Sequence, residues 1–172
     1  MINMLSNYHQ VIARVDDLCR GIDTALHGQI NCSEGCSACC TAITIFPVEA
    51  TALRTALESL PHDEAAAIRR HVSGHAADER CPLLSHDRCL LYASRPIICR
   101  THGLPILYTD SEERHIDCCP RNLEGCDSLP ASAVIDVDRL NVLLVAVNAL
   151  YRSQAEVPLD FPERMTIAEA LL

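Results

Sequence analysis

The sequence predicts a mainly α-helical fold, in which a few helices pack around an irregular, cysteine-rich region containing one or two short strands. The 172 residues are 49% hydrophobic but only 3% aromatic, so the core has to come from Leu, Ile, Val and Ala. Apolar residues recur at helical spacing towards both ends of the chain. We expect a single domain over residues 1–172, with a cysteine core at about 30–126 and a closing helix at about 136–152.

The first 28 residues predict one amphipathic helix that ends near Gly28. The apolar positions on its buried face are Val11, Val15, Leu18 and Ile22. Cys19 lies among these residues, so we interpret it as a small buried hydrophobic side chain.

Two further helices are expected after Cys40. The segment "TAITIF" is β-branched and predicts a short strand, and Pro47 suits the first turn of the helix that follows. The buried face of that helix comprises Leu53, Ala56, Leu57 and Leu60. Pro61 then predicts the start of a second, more polar helix, which has acidic residues in its first turn.

From Cys81 to about Pro130 the periodicity is poor, and prolines recur as breakers. A stretch this long inside a compact domain needs something to order it. Beyond it, the closing helix has one face formed by Leu140, Leu143, Leu144, Val147 and Leu150. Thr166 followed by Glu169 is a capping box that predicts a short final helix.

Charge and hydropathy exclude some classes of function. The formal net charge is −9 and no basic run occurs, so nucleic acid is not an expected partner. The N-terminus lacks the pattern of a signal peptide, which makes the cytoplasm the expected location. The apolar stretch 140–151 is too short to span a membrane, for which about 20 residues are needed. We expect it to be central in the fold, or to bind a protein partner or a second copy of the chain.

The eleven cysteines are the most informative feature. An odd number with two adjacent pairs, Cys39–Cys40 and Cys118–Cys119, suits a disulfide framework poorly, and a reducing cytoplasm disfavours disulfides. Apart from Cys19, the cysteines lie among Ser, Gly, Asp, Arg and Pro rather than on apolar stripes. Metal ligation by thiolates is therefore the favoured interpretation.

Four short motifs carry a resemblance to a known family. C-x3-C-x2-C-C begins at Cys32, and "CPLLSHDRCLLYASRPIICR" (81–100) contains C-P-x-L, C-x-x-Y and R-P-x-x-C-R. In this order they resemble the YkgJ-like cysteine-cluster family, whose domain is described as a "putative zinc- or iron-chelating domain". The resemblance implies metal-ligand roles for Cys32, Cys36, Cys39, Cys40, Cys81, Cys89, Cys99 and Cys119. Asp87 departs from the pattern, because a glycine often stands two residues before the cysteine at this point.

Eight thiolates suffice for two four-cysteine sites, each of which would hold an iron–sulfur cluster of the [4Fe-4S] type or Zn²⁺. Each site would be formally −2, and buried negative charge needs compensation. Arg95, Arg100 and Arg121 flank ligand cysteines, so we expect their guanidinium groups to hydrogen-bond the sulfurs, with Arg95 and Arg100 as the residues that bind the cofactor. The alternative is that these arginines form surface ion pairs with Asp87, Glu112 or Glu113.

Two functions stay open at this point. One is a redox or group-transfer role at an iron–sulfur centre; flagellin lysine methylases carry a similar cysteine cluster. The other is a non-enzymatic zinc-stabilised structural or interaction domain. The sequence identifies no general acid, base or nucleophile. We expect His71 and His75 to form an exposed, solvated pair. For His102 two interpretations stay open: a metal ligand or proton relay, or a loop residue that caps carbonyls.

Overall fold

A computed structural model describes residues 4–124, 126 and 128–172. Within them the helices are α1 (Ser6–Ala25), α2 (Pro47–Glu58), α3 (His62–Gly74), α4 (Ile97–Thr101), α5 (Val137–Gln154) and α6 (Ile167–Leu171). The strands are β1 (Thr44–Ile45), β2 (Leu84–Ser85), β3 (Arg88–Cys89), β4 (Ile106–Asp110), β5 (Glu113–Asp117), β6 (Ile135–Asp136) and β7 (Met165–Thr166). The mainly helical prediction is confirmed, but the prediction of one or two strands was too low.

Helix α1 follows the predicted pattern with one exception. Val11, Val15 and Ile22 are buried, whereas Leu18 is 40% exposed. Residues 1–3 of the predicted helix lie outside the described residues, and the helix ends at Ala25 rather than near Gly28. The buried face of α1 is therefore narrower than its apolar pattern suggests, because it does not include Leu18.

Helix α2 is tied to α4 through one buried carboxylate. Pro47 occupies the first turn of α2, as predicted, and Leu53 and Leu57 are buried. Glu49, only 3% exposed, accepts hydrogen bonds from the backbone N–H of Phe46 and of Ile97, both at 3.1 Å. Because Ile97 is the first residue of α4, the same side chain caps the start of two helices.

Helix α5 packs one face against the core and leaves the other to solvent. Its first turn is capped by Asp136, whose carboxylate accepts from the N–H of Arg139 at 3.0 Å. Leu144 and Tyr151 are buried, but Val142 is 70% and Val145 45% exposed. The helix is therefore not buried all round. None of the helices in the described ranges has the length and apolarity that a membrane crossing requires.

The unpredicted strands come mainly from two hairpins with two-residue turns. His86 and Asp87 join β2 to β3 with φ of 48° and 61°, and Ser111 and Glu112 join β4 to β5 with φ of 49° and 70°. Turns with two positive φ values usually carry Asn-Gly or Asp-Gly, and neither of these turns contains glycine, so the hairpins lack a strong local signal. Strand β4 also pairs in parallel with β6, and β1 pairs antiparallel with β7.

Three groups of buried side chains form the core. The first joins α2, α3 and α6 with the β1–β7 pair, and Cys81 and Cys89 pack against it. The second joins α1 to α5 and the start of α2, and the third lies where the end of α1 meets β6. The cysteine-rich segments lie where the first and third groups approach each other.

Candidate metal centre

One cavity of about 470 Å³ collects most of the predicted metal ligands. The cysteines that line it are Cys19, Cys32, Cys36, Cys39, Cys40, Cys81, Cys89 and Cys99. Seven of these eight are among the predicted ligands. The remaining wall is largely apolar, with Leu53, Leu83 and Ile167 from the first core group.

The segment between α1 and β1 carries four of these thiols. It makes two tight turns. In the first the N–H of Cys36 donates to the carbonyl of Ser33, and in the second the N–H of Cys40 donates to the carbonyl of Ser37, both at 3.0 Å. Gly35 has φ of +97°, a conformation that side-chain-bearing residues rarely adopt. The segment is therefore a loop built from successive turns, not a helix.

Ser37 ties this loop to the β2–β3 hairpin. Its hydroxyl donates to the carboxylate of Asp87, the residue that stands where the family often has glycine. Asp87 has φ of 61°, in the left-handed region that glycine enters most easily and that Asp tolerates. The departure from the family pattern therefore preserves the turn and adds a contact to the cysteine loop.

Cys119 lies just outside the cavity lining but close to Cys32. The N–H of Cys119 donates to the carbonyl of Gly103 at 3.2 Å. The buried Asn122 side chain donates to the same carbonyl at 2.6 Å and to the sulfur of Cys32 at 3.2 Å. Sequence reasoning missed Asn122, since nothing local marks a residue that contacts Cys32 across 90 positions.

Burial keeps the deepest thiols protonated. Desolvation raises the pKa of Cys81 to about 11 and that of Cys99 to about 12. For Cys99, nearby Cys81, Cys89 and Cys40 add to the increase, while Arg95 opposes it. Burial also raises the pKa of Cys32, Cys39, Cys40 and Cys89. A bound cation would reverse this preference, because it favours the thiolate.

Three described arginines line the cavity, Arg20, Arg95 and Arg100, and the last two are those predicted to contact the cofactor. The guanidinium of Arg95 stacks on the Tyr92 ring, 3.6 Å from its centroid, and donates to backbone carbonyls. In Arg100, Nη1 lies 2.8 and 2.9 Å from the two carboxylate oxygens of Asp16 in α1. Within the described part of the chain, both guanidinium groups hydrogen-bond oxygen rather than sulfur. Arg100 pairs with Asp16 and not with the acidic residues considered from the sequence.

The other candidate residues have different surroundings. Cys19 is half-buried against two core groups, as predicted, and its thiol donates to the carbonyl of Arg100 at 3.6 Å. His102 lines the cavity. The rings of His71 and His75 stack with centroids 4.2 Å apart, and Nε2 of His71 lies 3.0 Å from the carbonyl of Leu84. His71 thus links α3 to the β2–β3 hairpin and is only partly exposed, whereas His75 is exposed as predicted.

The thiols share a cavity but do not form a finished coordination sphere. Among the described residues, no three His, Cys, Asp or Glu side chains stand in an arrangement that could hold a metal ion directly. The donor set nevertheless fits a thiophilic group, because it is almost purely thiol and has arginine charge beside it. Binding would have to draw the sulfur atoms together.

Comparison with known proteins agrees with this donor set. Residues 31–123, just over half of the chain, match the family CxxCxxCC, described as "Putative zinc- or iron-chelating domain". Comparisons with curated proteins and with solved structures give no significant match. The matched range contains all eight predicted ligand cysteines and the cavity they surround. The chain therefore belongs to the CxxCxxCC family.

Proposed function

We propose that the protein binds an iron–sulfur cluster or zinc through the thiolates of Cys32, Cys36, Cys39, Cys40, Cys81, Cys89, Cys99 and Cys119. The observation that carries this proposal is the shared cavity, which gathers seven of these cysteines from three separate segments of the chain. An iron–sulfur cluster is the first candidate, since soft, all-sulfur ligand sets are typical of such clusters. When bound, it would supply electron-transfer or group-transfer chemistry.

The surrounding residues would bind, shield and balance such a group. Leu53, Leu83 and Ile167 limit the access of water from one side. Arg95 contributes positive charge close to Cys89 and Cys99, where it opposes the increase in thiol pKa. Arg100 acts mainly through its pairing with Asp16, which fixes α4 and therefore the position of Cys99. We propose Arg95 as the closer of the two to the cofactor.

Zinc binding without catalysis is the second candidate. Cys81 and Cys89 pack against the first core group, so a metal held by them would cross-link the β2–β3 hairpin to that core. Zinc is redox-inert, and a four-cysteine zinc site commonly stabilises a fold. The protein would then be a metal-stabilised structural or interaction domain.

Metal and sulfide analysis of the protein purified without oxygen separates these candidates. We expect iron with matching acid-labile sulfide and a brown colour if the first candidate holds. Stoichiometric zinc in a colourless protein without sulfide would support the second. Protein that contains neither metal, and that takes up neither after anaerobic reconstitution with iron, sulfide or zinc, would refute the proposed function.

A further inference from the structure

We propose that the eight thiols form two separate metal sites, which divide at the peptide bond between Cys39 and Cys40. The outer site comprises Cys32, Cys36, Cys39 and Cys119. The inner site comprises Cys40, Cys81, Cys89 and Cys99. This division rests on the proposed function, because it assigns the ligands of the same metal-binding region.

Backbone pairing brings the inner thiols together. Thr41 and Arg80 form an antiparallel bridge, and the N–H of Cys81 donates to the carbonyl of Cys40 at 3.1 Å. The β2–β3 hairpin then pairs Leu84 with Cys89, while the N–H of Leu84 donates to the carbonyl of Cys81 at 3.0 Å. Backbone hydrogen bonds thereby hold the main chain of Cys40, Cys81 and Cys89 together at one end of the hairpin.

Helix α4 supplies the fourth inner thiol. The thiols close enough to Cys99 to raise its pKa are Cys81, Cys89 and Cys40, the other three members of the inner site. Glu49 and the Asp16–Arg100 ion pair hold the short helix that carries Cys99. All four inner thiols line the cavity, as do Cys32, Cys36 and Cys39 of the outer site, so backbone pairing and not the cavity distinguishes the two groups.

The outer thiols meet around Gly103 and Asn122. Asn122 bridges the sulfur of Cys32 to the carbonyl of Gly103, which also accepts the N–H of Cys119. A Cβ placed on Gly103 would lie 2.5 Å from the sulfur of Cys32 and 3.5 Å from Cβ of Cys119. This close approach is possible only for glycine, and it puts Cys32 beside Cys119.

Cys36 and Cys39 complete the outer group. The thiols that raise the pKa of Cys32 are Cys119, Cys36 and Cys39. The thiol that raises the pKa of Cys39 most is Cys40, followed by Cys36 and Cys119, and the Cys39 and Cys40 side chains are hydrogen-bonded to each other. The thiol that raises the pKa of Cys40 most is Cys89. Cys39 and Cys40 also lie close to each other, and Cys36 is near both groups. Cys36 belongs to the outer site because the inner site already has four thiols.

The two sites differ in exposure. Cys81 and Cys89 pack against the first core group, whereas Cys39 is exposed and the turn around Gly35 is open to solvent. A metal in the outer site is therefore more accessible to a competing chelator. We expect the outer metal to leave quickly, and the inner metal to leave only when the core opens.

The matched variants Cys39→Ser and Cys40→Ser test the division, with Zn²⁺ as the probe under reducing conditions. We expect wild-type protein to bind two zinc ions and to release them to a chelator in one fast and one slow phase. Cys39→Ser should lose the fast phase alone, and Cys40→Ser should lose the slow phase alone. Cys118→Ser, beside Cys119 but outside both sites, should keep two zinc ions and both phases.

Other outcomes would overturn the division while leaving metal binding intact. A single zinc ion in wild type, or loss of the same zinc from both variants, would show one shared site. If Cys40→Ser fails to fold, Cys119→Ser provides the test. Like Cys39→Ser, it should lose the fast phase of zinc release and keep the slow phase. Loss of both phases in Cys119→Ser would refute the two sites. Absence of zinc and iron from wild type would instead refute the proposed function.

Discussion

Gly103 is the residue whose replacement the structure constrains most. It has φ of +91° and is buried between Cys32 and Cys119. A side chain at this position would be strained by the backbone and would also collide with the sulfur of Cys32. The residue therefore contributes to the site without carrying any chemical group of its own.

Replacing Gly103 with Ala should destabilise the protein and weaken metal binding by Cys32. Backbone strain alone costs about 1–3 kcal/mol, and the collision with the sulfur adds to it. Urea unfolding and zinc stoichiometry measure the two effects. Gly28→Ala is the matched control, because Gly28 has φ of +77° but nothing within 4 Å of an added Cβ. Equal effects of the two substitutions would mean that the contact with Cys32 is unimportant.

At the scale of elements, α4 depends on its neighbours. It has five residues, too few to be stable by itself, yet it carries Cys99. Glu49 from α2 caps its first turn, and Asp16 from α1 pairs with Arg100 in its last turn. The position of α4, and with it that of Cys99, therefore depends on how α1 and α2 are packed.

Replacing Glu49 with Gln should lower the free energy of unfolding by about 1–3 kcal/mol, because Gln has one acceptor oxygen and leaves one buried N–H unpaired. Urea unfolding of the metal-free protein measures the change. Glu58→Gln is the matched control, since Glu58 is exposed on the same helix. If both variants were equally stable, Glu49 would not be fixing α4.

The elements predicted from sequence are those with local signals. Pro47 marks the start of α2, and Thr166 with Glu169 forms the predicted capping box, in which the Thr166 hydroxyl accepts from the N–H of Glu169 at 3.1 Å. The motif cysteines likewise identified the wall of the cavity. What the sequence could not show were contacts made across many positions, such as that of Asn122 with Cys32, and the hairpin turn at His86 and Asp87 without glycine.

For the whole molecule, buried thiols make stability depend on pH. All fourteen cationic side chains are arginines, so no lysine titrates between pH 9 and 11. Burial raises the pKa of Cys81 to about 11 and of Cys99 to about 12, from an ordinary value of 9.0. Above pH 9 the unfolded chain therefore loses thiol protons that the folded protein still holds.

The free energy of unfolding of the metal-free protein should consequently fall as the pH rises from about 9 to about 11. Each unit of pKa difference corresponds to about 1.4 kcal/mol. Urea unfolding at several pH values, with a reductant present, measures the slope. Cys99→Ala should reduce the slope of the free energy of unfolding against pH. Tyr8→Phe controls for Tyr8, whose pKa is also raised by burial. A stability that does not change over this range would contradict the assignment of buried, neutral thiols.

The pairing of β1 with β7 also sets an order of events during synthesis. The first core group includes Met165, Ile167 and Leu171, so it stays incomplete until these residues have been made. Cys126, the last cysteine, precedes Leu171 by 45 positions, which ribosomes translate in roughly 2–9 s at about 5–20 residues per second. During that interval all eleven thiols are present on a nascent chain whose core has not closed. Until the core closes, burial cannot shield these thiols.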